Sequence, residues 1–176
     1  RELGQIEEAI KSYKNALSIK NAYPNAHYNL GNALLSLKQY DGAIKHFESA
    51  TVFNPKFAQA YNNLGTLYKR LGNDLEAAKN LDKALAIKPN YAEALNQRGV
   101  IYQNVGDLES AIKYYQKSLE INPNLADAYN NIGLAEKELN KTDSSIKSFE
   151  KALSIDPTLA NAYYNLSRFK HYTIST

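Results

Sequence analysis

Pro55, Pro89, Pro123 and Pro157 stand 34 residues apart. A chain that repeats at one fixed step is built from one supersecondary piece used again and again, not from a single irregular core. Other residues keep the same step. Glycines fall at Gly31, Gly65, Gly99 and Gly133, followed by Ser167. Small residues fall at Ala9, Ala43, Ala77, Ala111 and Ser145, and again at Ala16, Ala50, Ala84, Ser118 and Ala152. A bulky column runs Tyr13, Phe47, Leu81, Tyr115, Phe149. Such units bury their apolar faces by stacking on their neighbours.

Each unit reads as two helices, so the chain is all-α. The first covers about 59–71 in one unit, with Ala60, Tyr61, Leu64, Leu67, Tyr68 and Leu71 spaced by threes and fours as on an amphipathic helix. Gly72-Asn73 ends it, because glycine enters the left-handed conformation common past a helix end. The second covers about 75–88, and Pro89 ends that one by disfavouring helical geometry in the residue before it. The small columns let helix backbones approach. Gly65 is expected where the two helices of a unit touch, and Ala77 and Ala84 where the second helix meets its neighbours. A large residue there would overpack the contact at a cost of about 1–3 kcal/mol.

Tyr61-x-x-Leu64-Gly65-x-x-Tyr68, followed by Ala77, Leu81, Ala84 and Pro89, resembles the tetratricopeptide repeat. The resemblance covers essentially the whole chain. It implies an α-solenoid, a right-handed superhelix of stacked antiparallel helix pairs whose first helices line a concave groove. Full units are expected at 24–57, 58–91, 92–125 and 126–159. Residues 1–23 supply a second helix and residues 160–176 a first helix, ten helices in all within a single array.

Several positions depart from the pattern. Asn21 replaces the first proline, and Pro24 comes three residues late. Lys38 and Asn140 stand where the turn glycines are, and asparagine tolerates the left-handed region better than lysine. Asp74-Leu75 displaces the expected apolar residue by one. Glu136 replaces a tyrosine. Arg98 stands in the column of Leu30, Leu64, Ile132 and Leu166, where it reads as a snorkelling side chain that finds an acid or as a groove anchor.

Nothing in the residues points to catalysis, a cofactor or a metal. There is no cysteine, hence no thiolate nucleophile or Cys-ligated zinc. His27, His46 and His171 are scattered, and His27 takes an aromatic or leucine column, so it reads as a packing histidine. No phosphate loop, His-x-x-x-His or nucleophile elbow occurs. Lys and Arg exceed Asp and Glu by 21 to 18, with no basic run longer than Lys69-Arg70, so a nucleic-acid partner is not expected. No apolar stretch reaches the roughly 18 residues of a membrane span. The triplets starting at Asn140 and Asn165 match a glycosylation signal only weakly. The opening Arg1-Glu2-Leu3-Gly4 carries neither initiator methionine nor signal peptide. The expectation is a cytoplasmic piece of a longer chain.

The informative chemistry is a ladder of carboxamides on the first helices. If the implied geometry holds, Asn29, Asn63, Gln97, Asn131 and Asn165 face the groove, next to Tyr28, Asn62, Asn96, Asn130 and Tyr164. A carboxamide offers donor and acceptor together, so it pairs with peptide N–H and C=O without reading side chains. Helices pack about 8–10 Å apart and an extended strand rises about 3.3 Å per residue. One amide per unit then grips about every third residue. The ladder is similar to the asparagines lining the repeat superhelix of O-linked N-acetylglucosamine transferase, where they hold extended polypeptide; Gln97 departs from it. The alternative is that the amides only solvate the groove or bond neighbouring helices.

Other repeats of this family clamp a terminal carboxylate with lysines and arginines. The corresponding positions here (Tyr28, Asn32, Asn63, Glu93 and Gln97, then Asn62, Thr66, Asn96, Asp127 and Asn131) hold no cation, so no such clamp is expected. Asn32, Thr66, Val100 and Leu134 grade from polar to apolar along the groove.

The ends suggest a second activity. The helix near 6–19 would expose Ile6, Ile10, Tyr13 and Leu17, and the helix near 161–172 would expose its own side, including Tyr163 and Leu166. Head-to-tail association of such halves would be heterologous, giving filaments or rings. The tail from Asn165 to Thr173 resembles a junction between these repeats and a sulfotransferase domain; glycosyltransferases are another companion. The expected function is a non-catalytic module binding a protein or extended peptide. The alternatives are an assembly spacer or the substrate-recruiting arm of a larger transferase.

Overall fold

Proline, glycine and small-residue columns cut the chain into helices at the expected step. The computed structural model describes residues 2–169. Two compact units divide between Pro89 and Asn90. Unit one holds α1 (Glu2–Ile19), α2 (Pro24–Ser36), α3 (Tyr40–Phe53), α4 (Ala58–Arg70) and α5 (Asp74–Ile87). Unit two holds α6 (Ala92–Asn104), α7 (Leu108–Ile121), α8 (Ala126–Glu138), α9 (Thr142–Ile155) and α10 (Ala160–Ser167). The described residues are thus all-α, ten helices stacked as pairs within each unit, with no sheet. The last helix ends at Ser167, before Arg168 and Phe169. The rest of the helix expected to reach 172, His171, and the end of the transferase-like tail lie outside the described residues.

The pairs close on the glycine column. A Cβ placed on Gly31 would lie 2.6 Å from Phe47 Cε1, on Gly65 2.6 Å from Leu81 Cγ, on Gly99 2.5 Å from Tyr115 Cε1 and on Gly133 2.7 Å from Phe149 Cε1. Those four partners are fully buried, as are Ala43, Ala77, Ala111, Ala50, Ala84 and Ala152. That Cβ on Gly65 would also lie 3.2 Å from the Ala77 carbonyl oxygen, which places both residues at the pair contact. Where serine replaces alanine in these columns, its hydroxyl is satisfied. Ser118 donates to the Ala92 carbonyl and Ser145 to the Gly133 carbonyl, each at 2.7 Å. Tyr115 keeps its polar tip bonded too, donating to Gln103 Oε1 at 2.9 Å, while Gln103 donates onward to Glu138 at 2.7 Å. Burial, and then Glu138, push the Tyr115 hydroxyl pKa up.

Both kinds of turn follow from local chemistry. After α4, Gly72 takes φ +77, its N–H bonds the Lys69 carbonyl at 3.0 Å and the Asn73 N–H bonds the Tyr68 carbonyl at 2.9 Å. This is the left-handed cap that satisfies orphan carbonyls. Lys38, Gly106 and Asn140 repeat it with φ 58, 83 and 59. Asn73 and Asp107 then cap the next helices, accepting from Glu76 N at 3.2 Å and Ser110 N at 3.1 Å. The Ser110 bonds hold the Asp107 carboxyl below its usual range. At the other turn, Asn54, Lys88, Asn122 and Asp156 are extended before proline. Pro24 opens α2 at its first turn. Leu75, one place off its column, is 79% exposed. Arg98 lays its guanidinium 4.6 Å from the Tyr102 ring centroid, and Glu136 accepts from Ser148 at 2.7 Å.

The turn column yields a stability prediction. A side chain at left-handed φ costs roughly 1–2 kcal/mol, part of which glycine returns through a freer unfolded chain. Lys38→Gly should therefore raise the unfolding free energy by up to about 1 kcal/mol, and Gly106→Ala should lower it. A urea titration in which Lys38→Gly loses stability would contradict the turn assignment.

Candidate functional site

The carboxamides of the first helices separate into a buried column and a more open one. Asn62, Asn96 and Asn130 are buried, at 8%, 6% and 6% exposure, and so is Asn165. Asn63, Gln97 and Asn131 are half-buried, and Asn29 is exposed. Adjacent residues lie 100° apart around the helix axis, so in α4, α6 and α8 the first of each pair turns toward the neighbouring helices and the second stays more accessible, whereas Asn165 of α10 is buried.

Within each unit the amides bond in sequence from one first helix to the next. In unit one, Asn63 Nδ2 on α4 donates to Asn32 Oδ1 on α2 at 2.9 Å. In unit two, Asn131 Nδ2 on α8 donates to Asn96 Oδ1 on α6 at 3.1 Å, and Asn165 Nδ2 on α10 donates to Asn130 Oδ1 on α8 at 3.5 Å. The later helix gives the N–H and the earlier one the oxygen. Unit one uses Asn32, a turn further along α2, because Tyr28 holds the place that Asn96 and Asn130 hold in unit two. The Tyr28 ring packs instead on Phe57 and Phe47, with centroids 4.8 and 5.8 Å away.

Each bond spends one amide hydrogen of the later residue and the oxygen of the earlier. The oxygens of Asn63 and Asn131 and the NH2 groups of Asn32 and Asn96 keep capacity for a further partner. Thr66 has spent its hydroxyl hydrogen on the Asn62 carbonyl at 3.0 Å. The side-chain oxygens of Asn62 and Gln97 are buried without a hydrogen-bond partner, a costly state for a carboxamide. Beside Asn29, a cleft of about 290 Å³ opens between α1 and α2, lined also by Ser12, Tyr13, Tyr23 and Asn25.

Among nearby charges, Arg70 donates to the Tyr40 hydroxyl at 3.3 Å, and Glu93 and Asp127 are exposed. Arg168 donates to the Tyr164 hydroxyl at 2.8 Å. Away from the amides, Tyr68 donates to Glu48 at 2.9 Å; burial, then the Glu48 bond, push its hydroxyl pKa up to about 12.

The end residues are placed differently from the sequence expectation. Ile10, Tyr13 and Leu17 of α1 are half-buried against the cluster of Leu30, Leu34 and Phe47 rather than bare, and Ile6 is half-buried as well. Leu166 is fully buried with Phe149, Ala152 and Ala162, because it occupies the core column of Leu30 and Leu64. Leu166 is thus core and not a free end residue; of its pair, only Tyr163 is exposed. His27 packs as expected, 5% exposed and stacked on Phe53. Its bond to His46 is a feature the column pattern does not contain. Among the described residues, no group of three or more His, Asp or Glu side chains gathers to hold a metal ion, and no helix is long and apolar enough to cross a membrane.

These repeats match known sequences and structures. A family profile described as TPR repeat matches residues 1–38, 31–72 and 70–106, and one described as tetratricopeptide repeat matches 92–125 and 126–159. Among curated proteins no match is found. The crystal structure of MamA superposes with a TM-score of 0.77 at 28% identity, covering 88% of this chain and 90% of that one. YrrB, described as a TPR protein with an unusual peptide-binding site, superposes at 0.73 with 26% identity, covering 93% and 84%. A thermophilic TPR protein of Thermus thermophilus shares the fold at 0.74, with 21% identity over 93% of this chain and 89% of that one.

The amide bonds carry a measurable share of stability. Asn131→Ala leaves the buried Asn96 oxygen without its donor and should cost about 1–2 kcal/mol. Asn29→Ala, on an exposed side chain, should stay within about 0.5 kcal/mol. Urea midpoints at unchanged m-value separate the two; equal effects would show that the amide chain holds nothing together.

Proposed function

The chain belongs to the tetratricopeptide-repeat family, and from that premise we propose that it is a non-catalytic scaffold binding a protein or an extended peptide along the carboxamide face of its first helices. The observation that carries this reading is the ordered Asn–Asn bonding. Amides tied to one another are held in one orientation, so their remaining oxygens and NH2 groups are preorganised for a partner's backbone. Asn63 and Asn131 are then the oriented contacting residues, held by Asn32 and Asn96, and Asn29 and the NH2 group of Gln97 continue their column. Asn130 and Asn165 hold each other, and Asn62 and Thr66 lie beside the column. The resemblance to the asparagine-lined repeats of O-linked N-acetylglucosamine transferase supports backbone gripping, and the peptide-binding site in the description of YrrB supports the partner class. Division into units of 24–57, 58–91, 92–125 and 126–159 belongs to the same proposal.

Head-to-tail assembly is the weaker reading. It would set Ser167 against Tyr13, in the column where a Cβ on the corresponding glycines comes within 2.7 Å of its neighbour. The rebuilt pair would have to shift to admit the serine.

Peptides cut from a partner captured with the intact chain provide the test. If the amides hold backbone, scrambling the peptide sequence should change affinity by no more than about threefold, below 1 kcal/mol. N-methylation of alternate backbone nitrogens should abolish binding, and Asn29→Ala with Asn63→Ala should weaken it about tenfold or more. A peptide that loses binding on scrambling but keeps it on N-methylation would overturn backbone recognition.

A further inference from the structure

His27 on α2 and His46 on α3 meet nitrogen to nitrogen, Nδ1 to Nδ1, at 3.0 Å. The other nitrogen of His27, Nε2, lies 3.0 Å from the Asn21 carbonyl oxygen. A carbonyl only accepts, so His27 carries its hydrogen on Nε2 and presents a bare Nδ1 when neutral. His46 must then donate, from Nδ1–H. The same Asn21 carbonyl accepts the Tyr23 N–H at 2.8 Å. One oxygen therefore ties the α1–α2 turn to the buried ring, and the ring is stacked on Phe53 near the end of α3.

The arrangement tolerates one added proton. It can go to Nδ1 of His27, which then donates to Nδ1 of a neutral His46 whose own hydrogen sits on Nε2, and the bond becomes charge-assisted. A second proton goes to Nδ1 of His46, and two N–H groups then face each other across 3.0 Å. The charges acting on His46 offer no relief: Lys14 from α1, His27 from α2 and Lys45 from α3 are all cationic or become so.

We infer that the His27–His46 pair is a proton-sensitive latch on the α1–α2 turn, closed while no more than one ring is charged and released when both are. The latch joins the α1–α2 turn to α2 and α3 of unit one and is independent of what the amide face binds. Burial first, then His27, Lys45 and Lys14, hold the His46 pKa below its ordinary value of 6.5. A base that resists protonation when folded but not when unfolded adds stability above its unfolded pKa, and that stability is lost as pH falls. The contribution is therefore full above about pH 6.5 and declines below it.

Hydrogen exchange on the whole chain tests this. Helices α6 to α9 contain no histidine and serve as an internal reference, and Asp107 and Asp156, held below the usual carboxylate range, stay charged at pH 5.5. Between pH 7.5 and 5.5, protection factors at residues 20–27 should fall about tenfold relative to unit two, the factor for one excess proton taken up a pH unit below the imidazole range. A parallel change in both units would overturn the latch. His46→Asn retains an N–H donor toward His27 but does not titrate, so it should remove the differential; persistence of the differential would also overturn it. If that variant fails to fold, imidazole nitrogen spectra of the unmodified chain decide. Stepwise uptake, with the second proton coinciding with loss of protection, supports the latch. Two rings titrating independently of each other in an intact helix pair refute it.

Discussion

The structure depends on one contact, a bulky side chain pressed onto a helix backbone that has no Cβ. Phe47, Leu81, Tyr115 and Phe149 each occupy the space that a side chain on Gly31, Gly65, Gly99 or Gly133 would need. Glycine in a helix interior costs about 1 kcal/mol against alanine. Close approach offsets that cost, because the bulky side chain fills the space between the two helices and is itself fully buried. The alanine and serine columns extend the same logic to the second helices.

That contact sets how each first helix is rotated, and rotation decides what an asparagine on it can do. In α6 and α8 the inward asparagine accepts from the next first helix. Asn96 accepts from Asn131, which stays more accessible, and Asn130 accepts from Asn165, which is itself buried; the inward Asn62 oxygen has no partner. Asn32 with Asn63 keeps the bond between first helices by moving one turn when Tyr28 takes the acceptor's place. The amide face is thus a consequence of pair packing, and partner binding would use groups already oriented by the fold. Preorganisation of this kind reduces what a ligand must spend on ordering the site.

The helices were legible in the sequence because they rest on columns that recur at one step, and each column has a single physical role. The left-handed turns were legible for the same reason, although Lys38 adopts them against its own preference. The division of the carboxamides was not. Asn62 and Asn63 are chemically identical neighbours, and only helix rotation distinguishes them. Leu166 read as an end residue, yet its column makes it core. The His27–His46 bond was hidden because neither position recurs as histidine, so no column signals the pairing.

A double-mutant cycle on Gly99 and Tyr115 tests the packing constraint most directly, since the cycle isolates their mutual term. With Tyr115 in place, Gly99→Ala should destabilise by about 1–3 kcal/mol, the cost of overpacking. In a Tyr115→Ala background the same change should cost nothing, or stabilise by up to about 1 kcal/mol through helix propensity. Urea unfolding of the four proteins gives the result. An equal cost of Gly99→Ala in both backgrounds would contradict the account, because the glycine would then matter for some reason other than the ring that covers it.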